Sequence, residues 1–387
     1  MWGVNMEFST LCVHGGYKPD CTGSVSAPIY TSTAYAHPGV QQSTGYDYIR
    51  TQNPTRESVE RCLAELEGGA SAFAFASGMA ALACLMELFQ PGDHFIVTAD
   101  LYGGSIRLFN AVSRKNGLTC TEVDTGNLEA VEKAYRHNTK AVYIETPSNP
   151  TMQITDIRAI SEWAHTKNLK VIVDNTFLTP YFQKPLLLGA DIVLHSGTKY
   201  LGGHNDLLAG ILVAKEEADA AQIKYLQNTI GAVLSPFDSW LLLRGLKTLP
   251  LRMERHASSA LQIAMWLKQQ PQVRKVFYPG LEDSFRYEKN AKQVSGFGGM
   301  ISFEVDSEAF ARSVLSHLKL VLFAESLGGT ETLLTYPLLQ THADVPREEA
   351  LAKGINERLL RLSTGLEAPE DIIADLEQAF AAAVQDT

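Results

Sequence analysis

From about Ser58 onward the chain alternates short apolar runs with amphipathic stretches, and this alternation constrains its fold more than any other feature. Val59, Leu63 and Leu66 share one helical face, which Gly68-Gly69 closes as a C-terminal stop. Short strands are predicted at 94–98, 141–145, 170–174, 191–195 and 210–214, with helices such as 128–135 and 157–166 between most of them. The pattern predicts an α/β fold: a mostly parallel central sheet flanked by helices on both faces. Ligands bind such sheets just past the C-terminal ends of the strands. That rule singles out Ser77-Gly78-Met79 and the segments 100–104, 145–150, 174–176 and 196–199.

The 387 residues exceed one ordinary core, and the pattern changes twice along them. Residues 1–57 are rich in Gly, Pro, Ser, Thr and Tyr and read as an irregular N-terminal arm. Residues 58–245 carry the alternation. Residues 246–387 mix longer helices (253–269) with strands (300–305) and read as a smaller C-terminal α+β domain.

Residues 71–89 are almost entirely apolar and nearly long enough to cross a bilayer, but Ser77-Gly78 and Glu87 interrupt them. Phe73 and Phe75 before the break read as a buried strand, and 79–89 after it as a helix. The 33 basic against 43 acidic residues give a net charge of −10, which argues against nucleic acid or an anionic membrane as partner. Partners are expected to be small molecules or protein chains. Five scattered cysteines without a CxxC pair argue for reduced thiols rather than a zinc site or disulfide framework. Residues 1–10 lack the basic and apolar blocks of a signal peptide, so a cytoplasmic location is expected. His14, His195 and His204 lack the spacing of a metal site.

Three places carry chemistry. Ser77-Gly78-Met79 puts flexible backbone at a helix N-terminus, where free N–H groups and the dipole suit a phosphate; a plain strand–helix turn reads the same way. Asp174 ends an apolar strand, either as a solvated cap or as a ligand-facing acid. Lys199 follows another strand and a pair of hydroxyls; in a desolvated, cationic setting it is a competent nucleophile, otherwise a loop lysine.

Eight motifs in order join these places: YIRTQNPTR (48–56), ASGMAAL (76–82), DLYGGSIRLF (100–109), ETPSNP (145–150), VDNTF (173–177), HSGTKYLGGHND (195–206), FAESLGGTETL (323–333) and RLSTGLE (361–367). Together they resemble the Cys/Met metabolism family of pyridoxal-phosphate enzymes, from about Thr10 to Ala382. The resemblance implies the type I fold of pyridoxal-phosphate-dependent transferases. It implies that Lys199 carries pyridoxal 5'-phosphate and later moves protons, that Asp174 pairs with the ring nitrogen, and that Tyr102 stacks on the ring. Ser77, Gly78, Met79, Ser196 and Thr198 are expected at the phosphate, Asn149 at the ring's phenolic oxygen, and Thr176 close by. The Asn149–Pro150 bond is a candidate cis peptide. Tyr48 and Arg50 match positions that reach the site of a neighbouring subunit, which implies a homotetramer built from dimers.

For substrate, the resemblance implies a carboxylate clamp at Arg361, whose planar fork suits two parallel hydrogen bonds, supported by Ser326. The family's γ-replacement, γ-elimination and β-elimination enzymes share one scaffold. Glu325, Arg107 and Gly104 resemble the γ-synthase and γ-lyase branches, and Arg107 is expected to pair with Glu325 or a substrate carboxylate. The stretches 23–35, 227–253 and 335–346 resemble the γ-synthase branch, which implies replacement of the acyl group of an O-acylated homoserine by cysteine or sulfide. A γ-lyase is the alternative, and a non-enzymatic scaffold on the same fold the remote one.

Overall fold

The computed structural model describes residues 6–343 and 345–386. Residues 1–5 of the arm and Asp344, within the 335–346 stretch, lie outside the described residues, as does Thr387.

Seven strands form the larger sheet: β1 (Ser71–Phe75), β2 (His94–Thr98), β3 (Thr119–Val123), β4 (Thr139–Glu145), β5 (Lys170–Asp174), β6 (Ile192–Ser196) and β7 (Gly210–Ala214). Their order is β1-β7-β6-β5-β4-β2-β3. Central strands are buried on both faces; Val171, Ile172 and Val173 of β5 are each 0% exposed. Burying each such side chain stabilises the fold by roughly 1.5–3 kcal/mol, which is why these strands read as continuous apolar runs.

The expected parallel sheet holds from β6 across to β3, but β7 runs antiparallel to both β6 and β1. The cause is the 197–209 connection, which holds no helix: a strand returning without a crossover can only lie antiparallel. That connection carries Lys199. The sequence reading also passed over β3, an edge strand whose Thr-Cys-Thr-Glu-Val alternates polar residues.

One helix lies inside the expected irregular arm, and the helix expected around Val59, Leu63 and Leu66 starts earlier than its apolar face. The first, α1, spans Phe8–His14. The second, α2, spans Pro54–Glu67, so the irregular segment ends before Glu57. Asn53 sets that start by accepting from the N–H groups of Thr55 and Arg56, and Pro54 occupies the first turn, where its missing N–H costs nothing. Gly68, at φ 77°, ends α2 in the left-handed conformation. The apolar run 71–89 divides into β1 and α3 (Gly78–Met86). Among the described residues no helix is long and apolar enough to cross a membrane.

A second sheet has the order β10-β11-β12-β9-β8, with β8 (Val273–Phe277), β9 (Met300–Val305), β10 (Leu322–Phe323), β11 (Leu333–Thr335) and β12 (Leu359–Ser363). It is antiparallel except for the β10–β11 pair. Ile301, Phe303, Leu360 and Leu362 pack with the helices Glu308–His317 and Pro369–Asp386 in a core of its own. The long helix expected at 253–269 spans Leu249–Leu267.

Candidate active site

The C-terminal ends of β1, β4, β5 and β6 face a cleft of about 990 Å³, partly open to solvent. Its lining includes Ser77, Gly78, Met79, Tyr102, Asn149, Asp174, Thr176, Ser196, Thr198 and Lys199 from the side of the larger sheet. Glu325, Ser326 and Arg361 close it from the side of the second sheet. Residues far apart in sequence thus meet at one place.

At one end of the cleft, α3 begins. Ser77 caps it, its Oγ accepting from Ala80 N at 3.0 Å. The N–H groups of Gly78 and Met79 belong to the first turn and have no intrahelical acceptor. A Cβ on Gly78 would stand 3.2 Å from Ser196 Cβ, and one on Gly210 only 2.0 Å from Ser77 O. Glycine at both positions lets the turn press against β6 and β7. Thr198 Oγ1 is engaged with Ala209, donating to its carbonyl at 3.2 Å and accepting from its N–H at 3.0 Å.

Asp174 lies at the floor. Its Oδ1 accepts from Thr176 N at 3.0 Å and Thr176 Oγ1 at 2.6 Å, and its Oδ2 from the Tyr143 hydroxyl at 3.3 Å. Thr176 Oγ1 in turn accepts from Ser196 N at 2.9 Å, tying the ends of β5 and β6 together. Burial raises the Asp174 carboxyl above its ordinary range, against these hydrogen bonds. Among the described residues no Lys or Arg forms an ion pair with it.

Lys199 Nζ donates to Ser326 Oγ at 2.7 Å. Burial, and then the Arg361 charge, lower its pKa to about 8 against the opposing charge of Glu325. Ser326 adopts φ 95°, sparsely populated for a residue with a side chain, so its surroundings must hold it there. Its carbonyl accepts from Arg361 Nη2 at 3.2 Å. Arg361 itself is 1% exposed, donates from Nη1 to Asn149 Oδ1 at 2.7 Å, and keeps an Nε with no partner among the described residues. An unpaired donor on a buried guanidinium is costly unless a ligand takes it.

Asn149 stands between two prolines, and both the Thr146–Pro147 and Asn149–Pro150 bonds are cis. Tyr102 leans over the opening, 40% exposed. A Cβ on Gly104 would come within 2.4 Å of its ring, so the glycine makes room for this ring position.

Three expected site residues lie elsewhere. Tyr48 is 46% exposed and lines no part of this cleft. Arg50 also lies outside the lining and donates to Asn228 through its carbonyl and its Oδ1. Arg107 is exposed at the end of α4 (Gly103–Arg107) and is not brought into the lining beside Glu325.

Residues given no role by the sequence also stand here. Glu145 is in register with Asp174 on the adjacent strand, and its Oε2 accepts from Tyr102 N at 3.0 Å. Burial, and then the Asp174 charge, hold its carboxyl well above the ordinary range. The strand-end rule that picked Asp174 applies equally to Glu145, and was the available signal. Behind the floor, His195 Nε2 meets Glu67 Oε1 at 2.6 Å, both side chains wholly buried. Nothing local in the sequence joins residues so far apart.

These donors fit pyridoxal phosphate. A recessed carboxylate without a Lys or Arg partner suits a ring nitrogen that brings its own positive charge. A desolvated amine of lowered basicity suits a covalent link to an aldehyde. A glycine turn with free N–H groups suits a phosphate.

Comparison with known proteins gives the same answer from another direction. The model of the Cys/Met metabolism PLP-dependent enzyme family matches residues 9–381. Cystathionine γ-synthase of Haemophilus influenzae is 51% identical over 96% of this chain and 97% of its own. Cystathionine β-lyase of Lactococcus lactis subsp. cremoris is 47% identical over 97% of this chain and 99% of its own. The crystal structure of cystathionine γ-lyase from Lactobacillus plantarum complexed with L-serine superposes with a TM-score of 0.96 at 48% identity, covering 98% of this chain and 100% of that one. The chain belongs to the Cys/Met metabolism family of pyridoxal-phosphate-dependent enzymes, it has their type I fold, and pyridoxal phosphate is its cofactor.

Proposed function

We propose that this enzyme is a transferase of the cystathionine γ-synthase type, replacing the acyl group of O-acetyl- or O-succinylhomoserine with the thiol of cysteine. The carrying observation is the pairing of charges on the second wall: Arg361 buried deep in the cleft and Glu325 exposed nearer solvent. Arg361 suits the carboxylate of the homoserine derivative. Glu325 suits the ammonium of a second amino acid entering from outside, which favours cysteine over sulfide as the thiol.

The chemistry supplied by bound pyridoxal phosphate is an electron sink for a carbanion next to the substrate nitrogen. The protein's own groups do the rest. Lys199 Nζ takes the proton from the substrate Cα, hands it on, and as a neutral amine again takes a proton from Cβ, with its basicity tuned by burial. Ser326 Oγ holds that amine at 2.7 Å, and the Ser326 carbonyl holds Arg361, so the base and the carboxylate clamp share one support. The Cγ–O bond then breaks, releasing the carboxylic acid, and the thiol sulfur bonds to Cγ. Returning protons to Cβ and Cα completes the balance.

Ser77, Gly78, Met79, Ser196 and Thr198 are assigned to the phosphate, Asp174 and Thr176 to the ring nitrogen, and Tyr102 and Asn149 to the ring. Tyr48 and Arg50, remote from their own cleft, are assigned to that of a second copy, in a cytoplasmic homotetramer assembled from such dimers. The division into an arm, a cofactor domain and a smaller domain from about Leu246 follows the two separate sheets.

The deciding experiment compares initial rates on two substrate sets with one enzyme preparation. Cystathionine formation from O-acetylhomoserine and cysteine should exceed 2-oxobutyrate release from cystathionine. Dominant 2-oxobutyrate release would instead identify a γ-lyase and sink the synthase reading.

A further inference from the structure

Asp100 is 7% exposed and lies behind the cleft lining, yet it connects two parts of it. Its Oδ2 accepts three hydrogen bonds: from Ser148 Oγ at 2.5 Å, Thr151 N at 3.1 Å and Thr151 Oγ1 at 2.5 Å. All three donors come from the segment that brackets Asn149, and Asn149 Oδ1 is the acceptor for Arg361. Two residues beyond Asp100 stands Tyr102, whose N–H is anchored on Glu145. On the far side, the backbone at Gly103 packs so closely on Thr341 that a Cβ there would meet Thr341 O at 2.4 Å. Segment 100–104 is thereby fixed between 148–151 and the wall that Thr341 lines.

Burying a carboxyl group costs several kcal/mol unless donors compensate. Here the donors converge on one oxygen, while Oδ1 has no partner among the described residues. A group serving stability alone would be as well replaced by an apolar side chain; what the carboxylate adds is a fixed distance between two loops. We infer that Asp100 is a positioning residue, stapling the segment that carries Tyr102 to the segment that carries Asn149 and so setting the ring-facing tyrosine relative to the Asn149–Arg361 pair. The inference rests on the roles assigned above to Tyr102, Asn149 and Arg361, but not on which reaction follows.

The test uses holoenzyme carrying Asp100→Ala or Asp100→Asn. The readouts are the visible circular dichroism of bound pyridoxal phosphate, and KM and kcat for O-acetylhomoserine or cystathionine, whichever the wild type consumes faster. Asp100→Ala should weaken the dichroic band and raise KM about tenfold or more, with a smaller fall in kcat, since small misplacements of a clamp are expensive. Asp100→Asn keeps an acceptor oxygen toward Ser148 and Thr151, and should restore both readouts to within about threefold. A folded Asp100→Ala enzyme with wild-type dichroism and KM overturns the inference. So does an Asp100→Asn enzyme as impaired as Asp100→Ala, which would tie the effect to charge. Should Asp100→Ala not fold, Ser148→Ala with Thr151→Val removes the two hydroxyl bonds and leaves only that of Thr151 N; unchanged dichroism and KM there overturn the inference equally. A wrong assignment of the γ-replacement reaction changes which substrate is used and leaves the dichroism prediction intact.

Discussion

The two walls of the cleft are built differently. The wall made by the larger sheet presents an acid, hydroxyls, a helix N-terminus and the lysine, all at strand ends or the turns that follow them. The wall made by the second sheet presents charges, Arg361 within β12 and Glu325 in the connection after β10, with Ser326 next to Glu325. One wall suits a cofactor that the whole family shares; the other suits whichever amino acid is to be processed. Lys199 crosses between them, since it stands on the first and is held by Ser326 of the second. A family that keeps its cofactor and changes its reaction is expected to vary the second wall. Relatives with γ-synthase, γ-lyase and β-lyase names share 51%, 48% and 47% identity with this chain.

Removing the crossing residue gives the largest effect. Lys199→Ala should lose the absorption band of lysine-linked pyridoxal phosphate and lower turnover by about a thousandfold or more, as spectra and steady-state rates will show. A variant that keeps the band would break the assignment of the lysine.

Next comes a matched pair, one substitution on each wall. Asp174→Asn should weaken cofactor binding and lower kcat by about a hundredfold, because a neutral amide no longer favours a protonated ring nitrogen. Arg361→Lys should raise KM for the amino-acid substrate about tenfold to a hundredfold with cofactor affinity unchanged, because a point charge replaces a planar fork. Equal loss of cofactor affinity in both would show that the walls do not divide the work.

The smallest effect sharpens the place of Lys199 in the free protein. Its pKa is depressed to about 8, so the amine is neutral above that pH and protonated below it. The rate at which cofactor-free enzyme captures pyridoxal phosphate should therefore rise about fivefold from pH 7 to 8 and level off above about 9. An unshifted lysine would gain about tenfold per unit up to about pH 9 and still be rising at pH 10.

Much of the first wall was legible in sequence, because strand periodicity and the strand-end rule act locally: Ser77, Asp174 and Lys199 each follow a recognisable run. Glu145 opens a segment that the same rule singles out, but nothing in its run gives it a role. The second wall was legible only by family resemblance, since no local pattern tells that Arg361 of a buried strand meets Asn149. Strand direction was not legible either: nothing in Gly210–Ala214 says that β7 reverses, and the missing crossover helix was the only signal. Arg107, expected on resemblance to pair with Glu325 or a substrate carboxylate, stands exposed at the end of α4, outside the lining.

The central claim is that one lysine serves both Cα and Cβ on the way to substitution at Cγ. Cystathionine made from O-acetylhomoserine and cysteine in deuterium oxide, analysed by mass spectrometry and NMR, tests it most directly. Deuterium is expected at both Cα and Cβ of the four-carbon half. Deuterium confined to Cα would mean that no proton leaves Cβ, and would contradict it.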